Sequence, residues 1–126
     1  KEGSDVTIVA TGHLVWEALK ASETLSKKGI NSEIINIHTI KPLDEDIILE
    51  SVSKTGCLVS AEEHNIFGGL GESISRLLST KMPAPQEFVG TKDTFGESGT
   101  PLELMDKYGL NSSSICESVV KVVKRK

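Results

Sequence analysis

The sequence predicts an α/β domain, a three-layer α/β/α sandwich around a mostly parallel sheet of four to five strands. Short apolar runs alternate with segments of helical spacing along the chain. Glycines and prolines mark the joins between them. Aromatic residues make up only 4% of the chain, so the core must rest on Ile, Val, Leu and Ala, which suits strands covered by helices.

Val6-Thr7-Ile8-Val9-Ala10 reads as a buried strand, ended by Thr11-Gly12. Leu14, Ala18, Ala21 and Leu25 then recur at helical spacing. Lys27-Lys28-Gly29 stops that helix, because cations complement its negative end and glycine suits the turn beyond it. Glu33 to Ile37 is the second predicted strand. Lys41-Pro42-Leu43 leads into a second helix with Asp44 as N-cap and Glu45 and Asp46 in its first turn. Leu43 is placed to staple onto Ile48. Gly56 closes this helix, and Cys57-Leu58-Val59-Ser60 forms the third strand.

Glu62 to Gly71 is predicted as a loop. Ile74, Leu77 and Leu78 mark one face of a third helix, and Pro83 and Pro85 break the chain. Gln86 to Val89 is a short fourth strand. Thr100-Pro101-Leu102-Glu103 combines a capping box with proline at the first helical position. That helix ends at Tyr108-Gly109. The last helix starts near Asn111 or Ser114, with Ser112-Ser113-Ser114 as helix-start chemistry, and carries Ile115, Val119, Val122 and Val123 on one stripe.

Strands alternating with helices imply parallel pairing and right-handed crossovers. Ligands of such folds sit beyond the carboxyl ends of the strands. Three segments fall there: Gly12-His13, His38-Thr39 and the Glu62–Gly71 loop.

Composition excludes several classes of function. The net charge is −4, whereas nucleic-acid phosphates select basic surfaces. No stretch of 18 apolar residues or signal-peptide pattern points to a membrane or to export, so the expected location is the cytoplasm. Cys57 and Cys116 read as small buried apolar groups in a reducing compartment rather than a disulfide framework. Lys121, Lys124, Arg125 and Lys126 complement a helix C-terminus. The polar opening Lys1-Glu2-Gly3-Ser4-Asp5 is linker-like, so residues 1–126 are expected to be one domain of a longer enzyme or of a split subunit.

The candidate sites are few. Gly68-Gly69-Leu70-Gly71 follows a strand and opens a helix, where free N–H groups attract anions. Its spacing is neither G-x-G-x-x-G nor a P-loop, and Glu62, Glu63 and Glu72 crowd the same end. The turn therefore reads as a close-packed backbone feature rather than a phosphate cradle. Glu62-Glu63-His64 converge poorly on a metal, because neighbours on an extended segment point to opposite sides. His64 has the pKa range of an acid or base but no visible nucleophile beside it, so it reads as a surface or interface residue. His13 and His38 sit at strand ends without a partner that spacing can place, and Trp16 reads as a packing or interface residue.

In order along the chain, several segments resemble the C-terminal domain of transketolases. They are Val6 to Gly12, Thr39-Ile40-Lys41-Pro42-Leu43-Asp44, Glu62-Glu63-His64 with Gly68-Gly69-Leu70-Gly71-Glu72, and Glu97 to Leu104, closing at Tyr108-Gly109-Leu110. Deoxyxylulose phosphate synthases and the beta subunits of 2-oxo acid dehydrogenases carry similar Pro-Leu-Asp and Gly-Gly-x-Gly signals. The stretch from Ser98 to Leu104 favours transketolase proper.

The resemblance implies a mixed five-stranded sheet whose antiparallel first strand precedes the segment matching Val6. Only five residues precede Val6 here, so four parallel strands are expected, with one edge open or covered by a partner. It further implies an enzyme that moves a two-carbon ketol unit between sugar phosphates. Thiamine diphosphate and magnesium lie between two other domains at a homodimer interface. The residues that hold them have no counterpart here, so no catalytic, cofactor-binding or metal-binding residue is carried over. The expected role is structural and dimer-supporting. The Glu62–Glu72 loop, with Glu63, His64, Gly68, Gly69, Gly71 and Glu72, is the expected surface toward the thiamine-binding domains. The alternatives are the equivalent domain of the two related enzymes, or a free-standing flavodoxin-like binding module using the Gly68–Gly71 turn.

Overall fold

The computed structural model describes residues 3–38, 43–65, 69–91 and 110–126, with backbone alone at 64, 65 and 91. Within these residues the order is β1 (Val6–Ala10), α1 (Leu14–Lys27), β2 (Ser32–Asn36), α2 (Glu45–Thr55), β3 (Leu58–Asn65), α3 (Leu70–Lys81), β4 (Gln86–Thr91) and α4 (Ser112–Lys124). The four strands form one sheet in the order β2-β1-β3-β4, every neighbouring pair parallel. The expected capping box at Thr100–Glu103 lies outside the described residues.

The two-residue alternation of the strands divides the core into two layers. Val6, Ile8 and Ala10 of β1 and Cys57, Val59 and Ala61 of β3 face α1 and α4. There they meet Leu14, Ala18, Ala21 and Leu25 and the Ile115–Val119–Val122 stripe. Val9, Ile35 and Leu58 face the other way, against Ile48 and Val52 of α2 and Leu70, Ile74 and Leu77 of α3. Leu43 packs on this second cluster, where Ile48 also lies, as a hydrophobic staple requires.

The predicted punctuation reappears as geometry. Asp44 caps α2 by accepting from the Ile47 N–H, and Asn111 caps α4 by accepting from the Ser114 N–H. Gly56 closes α2 in the left-handed region at φ 79°, a conformation open to glycine at little cost.

One buried polar network crosses the second layer. The Thr7 hydroxyl lies 2.7 Å from both the Ser51 and Thr55 hydroxyls, and Thr55 donates to the Cys57 carbonyl. Thr7→Val keeps the shape but strips Ser51 and Thr55 of that partner. It is expected to lower the unfolding free energy by about 1.5 kcal/mol, read from urea denaturation. An unchanged midpoint would mean that the network contributes nothing net.

The basic carboxyl end does more than complement the α4 dipole. Arg125 donates to the Gln86 carbonyl and pairs with Glu87 at the start of β4. The Lys126 ammonium donates to the Asp5 carbonyl, 2.8 Å away, just before β1. Both contacts lie at the amino ends of the strands, opposite the candidate site. Cys57 is fully buried, and burial pushes its thiol pKa upward, against the opposing pull of Lys126.

Candidate functional site

The carboxyl ends of the strands hold the residues singled out in the sequence. The segment from Glu62 is not all loop: β3 continues to Asn65. Pairing to β4 is irregular there, because Ala61 faces Val89 while Asn65 faces Thr91. Residues 62–64 thus stand opposite Gly90 alone, a bulge of the kind that re-aims side chains at sheet ends.

Glu62 shares the parity of Leu58 and Ser60, so it points into the α2–α3 layer and is 1% exposed. Its two carboxylate oxygens accept from the first N–H groups of α3, Leu70 at 2.9 Å and Gly71 at 2.7 Å. This is an anion at the positive end of a helix, which needs both the negative charge and the acceptors. Gly69, the N-cap of α3, has no side chain to do this work.

Glu63 points to the other face and is exposed. Its carboxylate accepts from the His13 N–H at 2.6 Å, at the start of α1, where His13 makes no side-chain cap of its own. Gly12 sits in the left-handed region at φ 57°, and a Cβ there would lie 3.0 Å from the Glu63 carboxylate. Two adjacent carboxylates thus serve two helices on opposite faces of the sheet.

A third carboxylate completes the pattern. Glu17, 8% exposed, accepts from the Ser112 N–H at the first turn of α4 and pairs with Lys20. With Asp44 on α2, each of the four described helices has a carboxylate of this chain at its N-terminus. The order β2-β1-β3-β4 reverses direction between β1 and β3, the crevice where doubly wound sheets hold ligands. Glu63, on β3, reaches across that crevice to the turn after β1.

The Gly-Gly-Leu-Gly turn is close-packed where it is described. A Cβ on Gly71 would meet the Phe88 ring at 2.5 Å and the Ser60 hydroxyl at 2.8 Å. Gln86 donates to the Gly71 carbonyl and to the Ser60 hydroxyl. Gly68 and the His64 side chain lie outside the described residues. Glu72 is exposed in the first turn of α3. His13, His38 and Trp16 are exposed, Trp16 by 66%. The structure brings Glu63 to His13 but does not join Glu62 and Glu63 in one site.

Sequence reasoning missed the capping roles of Glu62, Glu63 and Glu17. A signal was present for Glu62: it continues the alternating side of β3 that faces a helix, eight residues before that helix begins.

The profile of the transketolase C-terminal domain matches residues 1–115. The chain belongs to the transketolase C-terminal domain family. It is 44% identical, over its full length, to a 6-deoxy-6-sulfo-D-fructose transketolase subunit of Clostridium sp. strain MSTE9, and covers 39% of that protein. It is 39% identical over 112 residues to a 1-deoxy-D-xylulose-5-phosphate synthase of Desulforudis audaxviator, covering 87% of this chain and 18% of that one. Among solved structures it is similar to a split-gene transketolase described as an inactive beta4 tetramer. That likeness has a TM-score of 0.95 at 42% identity, over 98% of this chain and 41% of the other. The chain thus spans about two-fifths of the Clostridium subunit and of the split-gene transketolase.

Proposed function

We propose that this chain is the C-terminal section of a thiamine-diphosphate-dependent transketolase and that it supports assembly rather than chemistry. The complete enzyme would move a two-carbon ketol unit between sugar phosphates, in the cytoplasm, as a homodimer. Residues 1–126 would form one domain of that enzyme, joined to the thiamine-binding section in one chain or associated with it as a subunit. Glu63, His64, Gly68, Gly69, Gly71 and Glu72 would form the surface toward that section.

One observation carries the non-catalytic part of this reading. Among the described residues at the carboxyl end of the sheet, the His13 N–H of α1 is engaged by Glu63 and the Leu70 and Gly71 N–H groups of α3 by Glu62. A diphosphate would have to displace a buried carboxylate from α3, or the bridging one from α1, and would meet the exposed charge of Glu72. The described residues therefore do not fit thiamine diphosphate. Its magnesium would lack a cluster too, since Glu62 and Glu63 diverge to opposite faces. The same occupancy weighs against a phosphate-binding flavodoxin-like module.

The test is complementation. The purified chain is expected to show no ketol transfer and no protection by thiamine diphosphate, and to restore transfer when mixed with the thiamine-binding section. Ketol transfer by the chain alone, or failure of the two sections to associate, would remove the proposal. A second reading, the corresponding domain of a deoxyxylulose phosphate synthase, is favoured by the 39% identical relative. Supplying pyruvate and glyceraldehyde phosphate to the assembled enzyme separates the two.

A further inference from the structure

We propose that Glu63 is a positioning residue for assembly of the complete enzyme. Its carboxylate holds the turn after β1 against the bulge of β3, so that both meet the thiamine-binding section as one rigid surface. The inference rests on the proposed role as the C-terminal section.

Four observations converge on this residue. Glu63 lies in the bulge, where residues 62–64 face Gly90 alone and the sheet's regular pairing no longer sets the backbone. Its bond to the His13 N–H joins residues 50 apart in sequence, across the point where strand order reverses. Gly12 adopts a positive φ and brings the turn to within 3.0 Å of the carboxylate, measured from a Cβ that glycine lacks. Glu63 is also exposed, in contrast to Glu62 and Glu17, which are buried beneath the helices they serve. Glu63 therefore ties two surface segments together at the rim rather than sealing the interior. A loop held in its bound geometry beforehand loses less freedom on association, so the tie should appear in affinity for the partner section.

A purely structural cap would show itself differently. Asp44 also caps a helix at an exposed site, accepting from the Ile47 N–H of α2 at 3.5 Å, a longer bond than the 2.6 Å one of Glu63. The Asp44→Ala variant therefore serves as a control for lost capping alone.

The test titrates this chain into the thiamine-binding section and follows ketol transfer. Glu63→Ala is expected to raise the concentration for half-maximal activation about tenfold, with the rate at saturation unchanged, because a positioning residue acts on association rather than on the reacting groups. Glu63→Gln keeps an acceptor for the His13 N–H and is expected to stay within about twofold of the wild type. Asp44→Ala is expected to lower the denaturation midpoint and leave the activation curve in place.

Wild-type activation with no shift in Glu63→Ala, or with equal shifts in Glu63→Ala and Asp44→Ala, overturns the positioning role and leaves the proposed function standing. A Glu63→Gln variant as impaired as Glu63→Ala overturns the hydrogen bond as its cause. If the wild-type chain fails to activate at all, the proposed function falls and the positioning role with it.

Discussion

Replacing Glu62 by alanine is expected to destabilise the domain by roughly 3 kcal/mol, the sum of two lost charge-assisted hydrogen bonds after partial relaxation. The Leu70 and Gly71 N–H groups would remain in a buried layer without their acceptor, and the positive end of α3 would lose its counter-charge. Unfolding free energies of single domains run to about 5–15 kcal/mol, so the variant should fold but melt earlier, by roughly 10 °C. Glu62→Gln should recover little. Its carbonyl can accept one N–H, but its amide nitrogen would face the second as donor against donor. Far-ultraviolet circular dichroism during heating and in urea measures both. A loss under 1 kcal/mol for Glu62→Ala would show that water replaces the carboxylate and that its burial has no energetic weight.

Gly71→Ala is the second large effect, expected to cost about 2 kcal/mol through overpacking. The new methyl would contact the Phe88 ring at 2.5 Å and the buried Ser60 hydroxyl at 2.8 Å. The backbone of Gly71 cannot simply withdraw, because its N–H donates to Glu62 and its carbonyl accepts from Gln86. Phe88 is 37% exposed and can yield more readily than Ser60. Adding Phe88→Ala to Gly71→Ala should therefore recover part of the loss, giving a coupling that a double-mutant cycle measures in denaturant. Strict additivity of the two changes would mean that the ring is not what alanine strikes.

Much of the fold was legible because its signals are local. Val6–Val9 is a run of four β-branched residues followed by Ala10 and a glycine turn, and Val6–Ala10 appears as β1 residue for residue. Asp44 announces a helix start by side-chain chemistry that acts within three residues, and its cap is present; of the two starts open for the last helix, Asn111 and Ser114, Asn111 is the cap. The extension of β3 was not legible. Glu62-Glu63-His64-Asn65 has little strand propensity, and its pairing with β4 is a tertiary outcome. The capping carboxylates were hidden for a related reason. Glu63 and His13 are 50 positions apart, and Glu17 and Ser112 are 95 apart, separations at which no periodicity speaks. What the sequence did offer was the crowding of acidic residues at that end, read as repulsion toward an added anion. The crowding has a positive role as well: these acids stand where such an anion would bind.

The position of Trp16 decides how such experiments should be read. It is the only tryptophan of the chain and projects from α1 with two-thirds of its surface in water. An indole already bathed in solvent changes its emission little when the polypeptide unravels, so intrinsic fluorescence is a nearly blind gauge of denaturation here. The same placement makes fluorine-labelled tryptophan a single-site beacon for association, silent until another molecule covers it.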